Sequence, residues 1–131
     1  NAVIGLQVLS ARPGDVRGRI TMRPELVGSY SHGRLHGGVI SAALDGLGGG
    51  GIMVGLGERH PHETSDQVMH RFLRIGTIDL RVDFLRPGLG QHFIASAEIT
   101  RLGGRVGSTQ KRLHNDSGEL IATAAAAYIV S

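Results

Sequence analysis

Apolar and polar residues alternate in several short segments of this chain, and a period of two predicts β-strands with one buried face. The first two segments, 5–12 and 16–22, flank the turn signal Pro13-Gly14-Asp15 and are expected to form a hairpin. Four further strands are predicted at 77–84, 92–101, 105–114 and 120–130. Turns that contain glycine separate these four strands, so we expect them to pair in antiparallel hairpins.

The strand at 77–84 has two distinct faces, whereas the last strand does not. Its apolar positions, Ile78, Leu80, Val82 and Phe84, are predicted on one face, and Thr77, Asp79, Arg81 and Asp83 on the other. The strand at 120–130 contains five alanines of low β-propensity, which makes a helix the local alternative. The flanking Ile, Thr, Tyr and Val residues favour the strand.

A long helix is predicted between the two groups of strands, from Gly37 to about Leu56. Its apolar residues fall on every side of a helical wheel, which is typical of a helix buried in a core. The second half contains the run Gly48–Gly51, and each glycine costs about 1 kcal/mol relative to alanine in a helix. The helix either ends near Leu47 or is held together beyond it by packing, and we favour packing.

The remaining segments complete an α+β domain. A loop is expected at 24–34, and a short helix with Ser65 as its cap is expected at 65–74. The 131 residues, 40% hydrophobic and 19% charged, suit one folded domain spanning 1–131. A single antiparallel sheet of five or six strands wrapped around the long helix is the compact solution.

Composition narrows the possible functions. The net charge is only +3, the thirteen arginines and one lysine are scattered, and 4% of residues are aromatic, so nucleic-acid binding is not expected. Cysteine is absent, which argues against disulfides, a thiolate nucleophile and a cysteine metal site. The apolar stretch Val39–Leu56 is interrupted by Asp45 and by glycines, so no membrane association is expected. The sequence shows no signal-peptide pattern, so we expect a cytoplasmic protein. It does not begin with methionine, so we expect a few residues to be missing upstream.

The candidate chemistry is concentrated at the start of the long helix. His36-Gly37-Gly38 occupies the helix N-terminus, where free backbone N–H groups and the helix dipole favour a developing negative oxygen. Asp45 lies nine residues after His36 in an otherwise apolar helix, where an ionisable group needs a partner or a function. Alternatively, Asp45 is a satisfied core carboxylate and His36 is only the entry residue of the helix. The residues alone leave both interpretations open.

The spacing of this pair has a structural consequence. Along a helix, His36 and Asp45 are separated by about 13.5 Å, so both cannot contact one carbonyl group from the same subunit. Two helices lying antiparallel across a twofold axis would bring Asp45 of one chain near Gly38 of the other. A catalytic pair therefore predicts a homodimer with two composite sites.

These motifs resemble those of hotdog-fold acyl-CoA thioesterases of the phenylacetate-degradation type. The resemblance rests on His36-Gly37-Gly38, Asp45, the strand motif TIDLRVDFLRP at 77–87 and GELIA at 118–122, and it covers roughly residues 5–130. It implies a hotdog fold and a homodimer or dimer of dimers. It also implies hydrolysis of an acyl-CoA without a metal or a cofactor, since CoA is part of the substrate.

The resemblance implies a role for each matching residue. Asp45 corresponds to the catalytic carboxylate, as general base or nucleophile, and Thr77 corresponds to the residue that positions the water. The backbone N–H of Gly38 or Gly37 corresponds to the oxyanion donor, with His36 orienting that turn. Substrate binding is assigned to Ser29, Tyr30 and Asp79, and CoA binding to Arg101, Gly103, Gly104 and Arg105.

Two further motifs carry weaker signals, and three other functions stay open. Gly46–Gly51 matches the dinucleotide pattern G-x-G-x-x-G but falls inside the predicted helix, without the preceding strand that such a site needs. A metal could be suggested by His60, His62, Glu63 and His70, but their spacing fixes no coordination geometry. A non-catalytic acyl-CoA sensor, an acyl-thioester hydratase and a structural dimer remain alternatives to hydrolysis.

Overall fold

The structure is a computed structural model that describes residues 5–29 and 33–131. Within these ranges the chain forms a short 3-10 turn at Pro24–Leu26 and ten longer or paired elements. They are β1 (Leu6–Arg12), β2 (Asp15–Thr21), β3 (Val27–Ser29), β4 (Arg34–Leu35), α1 (Gly37–Arg59), α2 (Ser65–Phe72), β5 (Gly76–Phe84), β6 (His92–Leu102), β7 (Val106–Asn115) and β8 (Leu120–Ile129).

Six strands form one antiparallel sheet in the order β1-β2-β6-β7-β8-β5, and α1 packs on one face of it. This arrangement confirms the predicted α+β hotdog architecture. The expected hairpin between β5 and β6 is wrong, because β5 pairs with β8 and β6 pairs with β2. The connection at 85–91 crosses the end of the sheet, where the Leu35 N–H donates to the Gly88 carbonyl at 2.8 Å. A local turn signal does not encode which strand a segment pairs with.

Helix α1 continues through its glycine run to Arg59, as packing was expected to allow. The stripe of α1 that faces the sheet is buried and consists mainly of Ile40, Leu44, Leu47, Ile52 and Leu56. Burial of these side chains offsets the low helix propensity of the glycines. By length and hydropathy alone α1 would also suit a membrane span, but its contacts with the sheet are those of a core helix.

Burial of α1 is one-sided, which differs from the expectation of a helix buried all round. Gly38, Ala42 and Gly46 are exposed on the side turned away from the sheet. An apolar helix face with small side chains therefore remains uncovered in the single chain.

Strand β8 forms despite its alanines because those alanines pack under α1. Ala122, Ala124 and Ala126 are buried in the core. Their small side chains let the helix approach the sheet closely, so tertiary packing overrides the low β-propensity.

A β-bulge changes the predicted faces of β5. Thr77 pairs with Tyr128, whereas Asp79 pairs with Ala127, so Ile78 is an extra residue between the two pairs. The bulge turns Thr77 toward α1 and leaves Asp79 on the outer face. The expectation that Thr77 and Asp79 share a polar face is therefore wrong.

The segments on either side of α1 differ in detail from the expectation. The predicted loop at 24–34 contains β3 and β4, which pair with each other. Helix α2 is capped by Thr64 and not by Ser65: the Thr64 hydroxyl accepts from the Gln67 N–H, and the Gln67 side chain accepts from the Thr64 N–H. This reciprocal capping box satisfies two N–H groups at the start of the helix.

Candidate active site

Asp45 lies in the first half of α1, where side chains from two strands meet its carboxylate. The Thr77 hydroxyl on β5 donates to Oδ1 at 3.0 Å and lies 3.3 Å from Oδ2. The Tyr128 hydroxyl on β8 lies 3.1 Å from Oδ1 and 3.0 Å from the Asp45 backbone carbonyl. The structure thus brings together the predicted pair Asp45 and Thr77, and it adds Tyr128.

Behind Tyr128 lies Lys111, a residue that sequence reasoning missed. Lys111 is 1% exposed, and its ammonium donates to the Thr109 hydroxyl at 2.7 Å and to the Tyr128 hydroxyl at 3.2 Å. Burial lowers the pKa of Lys111 to about 8, although the negative charge of Asp45 acts in the opposite direction. Burial, and then the nearby Asp45 charge, raise the pKa of Tyr128 well above its ordinary value. A signal existed, because Thr109, Lys111 and Leu113 alternate on the inward face of β7.

The His36-Gly37-Gly38 turn forms the N-terminus of α1, as expected. The imidazole Nδ1 of His36 accepts from the Gly38 N–H at 2.8 Å, so His36 is the N-cap of the helix. A Cβ on residue 38 would lie 3.0 Å from that nitrogen, so a side chain there would crowd the imidazole. Within the described part of the chain the Gly37 N–H has no acceptor. Of the two N–H groups, that of Gly37 is thus the one left free to bind an oxygen, since the Gly38 N–H is already bonded.

The structure does not bring this turn next to Asp45. Both lie on one continuous helix, so the separation of His36 and Asp45 is set by the helical rise at about 13.5 Å. One chain therefore contains the carboxylate and the turn, but it does not place both around one carbonyl group.

A groove of about 340 Å³ opens beside Asp45. It is lined by Asp45, Gly46, Gly49, Phe72, Leu73, Ile75, Thr77 and Tyr128. The apolar residues at the end of α2 form one wall, and Leu73 is 75% exposed there. On the opposite side the groove is bounded by the backbone of α1, because Gly46 and Gly49 carry no side chains. The groove therefore joins a polar end at the carboxylate to an apolar surface, which suits an acyl group.

The predicted CoA-binding residues cluster at the turn between β6 and β7. Arg101, Gly104 and Arg105 are exposed there, and the Gly103 N–H donates to the Val106 carbonyl at 2.9 Å. Arg59, at the end of α1, donates to the carbonyls of Gly103 and Leu102 and so ties the helix to the turn. This structural role of Arg59 was not predicted from the sequence.

Of the predicted substrate-binding residues, Asp79 is the one whose side chain the structure describes, and it does not lie beside Asp45. Tyr30 lies outside the described residues, and of Ser29 only the backbone, in β3, is described. Asp79 is exposed on the outer face of β5, on the opposite side of the sheet from Asp45. Their roles stay predictions.

The two weaker motifs have structural explanations. Gly46–Gly51 lies within α1, where its backbone N–H groups belong to the helix rather than to a phosphate loop. The Glu63 carboxylate accepts two bonds from the Arg71 guanidinium, each at 2.8 Å, and this pairing lowers the pKa of Glu63. Over residues 5–29 and 33–131, no group of three His, Asp or Glu side chains is arranged to hold a metal.

Comparison with known proteins agrees with this fold and motif set. The sequence profile of the thioesterase superfamily matches residues 32–122. A medium/long-chain acyl-CoA thioesterase, YigI, of Salmonella typhimurium is 38% identical over 99% of this chain and 84% of its own length. YigI of Escherichia coli K12 is 43% identical over 82% of this chain and 70% of its own length. A solved structure from Shewanella oneidensis related to the thioesterase superfamily has a TM-score of 0.93 and 37% identity, covering 99% of this chain and 85% of its own. The chain belongs to the thioesterase superfamily.

Proposed function

We propose that this chain hydrolyses the thioester of medium- or long-chain acyl-CoA to a free acid and CoA. The observation that carries the proposal is the Asp45 carboxylate, held by the hydroxyls of Thr77 and Tyr128 at the polar end of an apolar groove. The relatives named medium/long-chain acyl-CoA thioesterases support the choice of substrate.

Asp45 acts in one of two ways in this proposal. As a general base, it accepts a proton from water while the hydroxide oxygen bonds to the thioester carbon. As a nucleophile, its own oxygen forms that bond, and water then hydrolyses the resulting anhydride. In both routes the C–S bond breaks, the CoA thiolate takes up a proton, and no cofactor is required.

We propose further that the complete site needs a second copy of the chain. Asp45 and the His36–Gly38 turn are too far apart in one chain, and the helix face with Ala42 and Gly46 is uncovered and lined by small side chains. Two α1 helices packed antiparallel through this face would place Gly37 of one copy near Asp45 of the other. The Gly37 N–H then stabilises the negative oxygen that develops on the carbonyl group.

A mixing experiment tests this composite site. Gly37→Pro removes the N–H at the first helical position, where proline is well tolerated, and Asp45→Ala removes the carboxylate. Each variant alone is expected to be inactive. Refolded together in equal amounts, they should recover about a quarter of wild-type activity, because half of the dimers are mixed and each mixed dimer has one intact site. Failure of the mixture to recover activity would contradict the composite site. So would a wild-type protein that is fully active and that sediments as a monomer in sedimentation velocity.

The CoA nucleotide is proposed to bind at the β6–β7 turn. Arg101 and Arg105 are exposed there, and guanidinium groups bind phosphate through paired hydrogen bonds. Arg105→Ala is expected to raise KM several-fold and to leave kcat near its wild-type value. Arg12→Ala, which removes an exposed arginine from the β1–β2 hairpin, is the matched control.

The main experiment measures release of free CoA thiol from acyl-CoAs of increasing chain length. Wild-type protein should favour medium or long chains, and Asp45→Ala should lose activity while still binding CoA. Gly49→Val should shift the preference toward shorter chains, because residue 49 lines the groove and a side chain there meets no other atom of the chain within 4 Å. Binding of CoA without turnover by wild-type protein would instead favour a sensor.

A further inference from the structure

Lys111 is an unusual residue to find in the core of this chain. It is the one lysine in the sequence, it is 1% exposed, and no carboxylate in the described part of the chain lies within ion-pair distance of it. Burial of an ammonium group is costly unless nearby groups compensate for it. A leucine or methionine would fill the same space without this cost.

The surroundings of Lys111 are shaped to hold it. Its neighbours on the adjoining strands are Ala97 on β6 and Ala124 on β8, which leave room for a long side chain. Above it lies Gly48 of α1, where a Cβ would come within 2.8 Å of the lysine nitrogen and would collide with the Tyr128 hydroxyl. Gly48 is therefore required by the pair Lys111 and Tyr128, and this gives one member of the glycine run a specific function.

The hydrogen bonds around this pair have a defined direction. An ammonium group can only donate, so the Tyr128 oxygen accepts from Lys111 at 3.2 Å. The Tyr128 proton is then directed to Asp45, whose Oδ1 lies 3.1 Å away and whose backbone carbonyl lies 3.0 Å away. The positive charge of Lys111 strengthens this last bond by polarising the Tyr128 hydroxyl.

We infer that Lys111 and Tyr128 are positioning residues, which hold the Asp45 carboxylate in its reactive orientation through a buried Lys111–Tyr128–Asp45 chain of hydrogen bonds. The inference rests on the acyl-CoA hydrolysis proposed above and assigns it two residues beyond those of the motif. Oδ1 of Asp45 accepts from Tyr128 on one side and from Thr77 on the other, so rotation of the carboxylate is restricted. Oδ2 has the Thr77 hydroxyl at 3.3 Å and is the oxygen left for water or the thioester.

Charge compensation explains why a cation is used in this place. The ionisable groups that face Lys111 are Tyr128 from β8 and, beyond it, Asp45 from α1, while Thr109 on its own strand adds a neutral hydroxyl. The negative charge of Asp45 opposes the fall in the pKa of Lys111 that burial causes, so cation and carboxylate are coupled across the tyrosine. A purely structural side chain would not require this coupling.

Kinetics of two variants test the inference. Tyr128→Phe removes only the hydroxyl, and it is expected to lower kcat roughly 10- to 100-fold with little change in KM. The variant loses the orientation of the Asp45 carboxylate, whereas its affinity for the substrate is unchanged. Lys111→Met, which keeps the shape and removes the charge, should lower kcat by a smaller factor. In wild-type protein kcat should fall above pH 8, where Lys111 loses its proton, and Lys111→Met should lack this fall. Ile121→Val, a buried change on the same strand as Tyr128, is the control and should keep wild-type kcat and KM.

A second measurement does not depend on turnover. Because Lys111 is the one lysine in the sequence, protein labelled with ¹³C,¹⁵N-lysine gives a single side-chain signal whose titration can be followed by NMR. The pKa of Lys111 is expected near 8 and should fall further in Asp45→Asn, since the carboxylate charge raises it. An unchanged titration in Asp45→Asn would show that the two groups are not coupled and would overturn the inference.

The outcomes separate the inference from the proposed function. If wild-type protein hydrolyses acyl-CoA, Asp45→Ala does not, and both Tyr128→Phe and Lys111→Met keep wild-type kcat, the function stands and the positioning role is wrong. A loss of thermal stability without a change in kcat would reduce the pair to core packing and would also overturn the inference. If wild-type protein hydrolyses no acyl-CoA, the proposed function fails, and a titration of Lys111 that ignores Asp45 would reject the coupling as well.

Discussion

Two regions of α1 carry the candidate chemistry, and they are built in different ways. The His36–Gly38 turn is held by a bond between residues two positions apart, and it is exposed. Asp45 is held by Thr77, 32 residues away in the sequence, and by Tyr128, 83 residues away. The turn is thus a local feature of the sequence, whereas the environment of Asp45 exists only after the sheet has formed.

The difference indicates how the two regions contribute. The carboxylate site is complete within one chain, with its orientation set by β5 and β8. The turn offers one unoccupied N–H group, that of Gly37, and it faces away from Asp45 of its own chain. Changes near Asp45 should therefore act on the chemical step alone, whereas changes at the turn should act on helix stability through the His36 cap and on the chemical step through the Gly37 N–H offered to a second copy.

The largest effect is expected at Asp45 itself. Asp45→Asn keeps the size and most hydrogen bonds of the side chain but removes its capacity to accept a proton or to attack the thioester. Activity should fall by roughly 10³-fold or more, with the fold intact by circular dichroism. A residual activity within tenfold of wild type in the thiol-release assay would show that the carboxylate is not the catalytic group.

The next effect is expected at Thr77. Thr77→Val keeps the shape but removes the hydroxyl that contacts both oxygens of Asp45, and kcat should fall roughly 10- to 100-fold. Thr77→Ser keeps the hydroxyl and is the matched control, which should retain most of the activity. Equal kcat values for the valine and serine variants would remove Thr77 from the site.

Lys111→Met should increase stability while it lowers activity. In wild-type protein the pKa of Lys111 is about 8 in the folded state against 10.5 for the free side chain, so the unfolded chain binds more protons between these values. The destabilisation is fully present below pH 8 and fades as the pH rises to 10.5. Lys111→Met should thus raise the free energy of unfolding at pH 7 by roughly 1 to 3 kcal/mol. Urea unfolding at pH 7 and pH 10 measures this gain, which should shrink at the higher pH; a gain equal at both would reject the charge as its cause.

The smallest effect is expected at the His36 cap. His36→Ala removes the N-cap of α1 and should lower the free energy of unfolding by about 1 kcal/mol. His36→Asn supplies another capping side chain and should restore that stability. Comparing kcat of the two variants at equal fraction folded isolates the imidazole from the cap, and equal unfolding midpoints for alanine and wild type would show that the cap contributes nothing.

The parts of the fold that depend on local periodicity were predictable from the sequence. The strands and the central helix followed from alternation and helical pattern, and the motif resemblance grouped Asp45 with Thr77, whose side chains are in contact; their catalytic roles stay predictions. The partner of β5 was not predictable, because pairing with β8 depends on a crossover at 85–91 and not on the nearest turn. The bulge at Ile78 was missed for a related reason: the sequence alternates regularly through it.

Lys111 and Tyr128 were missed because their role depends on contacts with residues that are distant in the sequence. Each lies at a regular inward position of a strand, where the pattern alone predicts a core side chain. Their role depends on Gly48 of α1, which lies directly above them. From the sequence alone, a glycine in a helix indicates only a local loss of helix stability, because its neighbours across the core are not known. Nothing in the spacing of positions 48, 111 and 128 reveals that contact.

The extra residue in β5 makes the site sensitive to strand register as well as to side-chain identity. On the two sides of Ile78 the strand pairs with β8 in registers that differ by one residue. Deletion of Ile78 would leave an even ladder in which Thr77 still pairs with Tyr128 and faces Asp45. A slip of one residue before the bulge would instead pair Ile78 with Tyr128 and turn Thr77 to the outer face, although every side chain named in the site would still be present. A change of register at this one position is therefore enough to dismantle the site while its motifs stay intact.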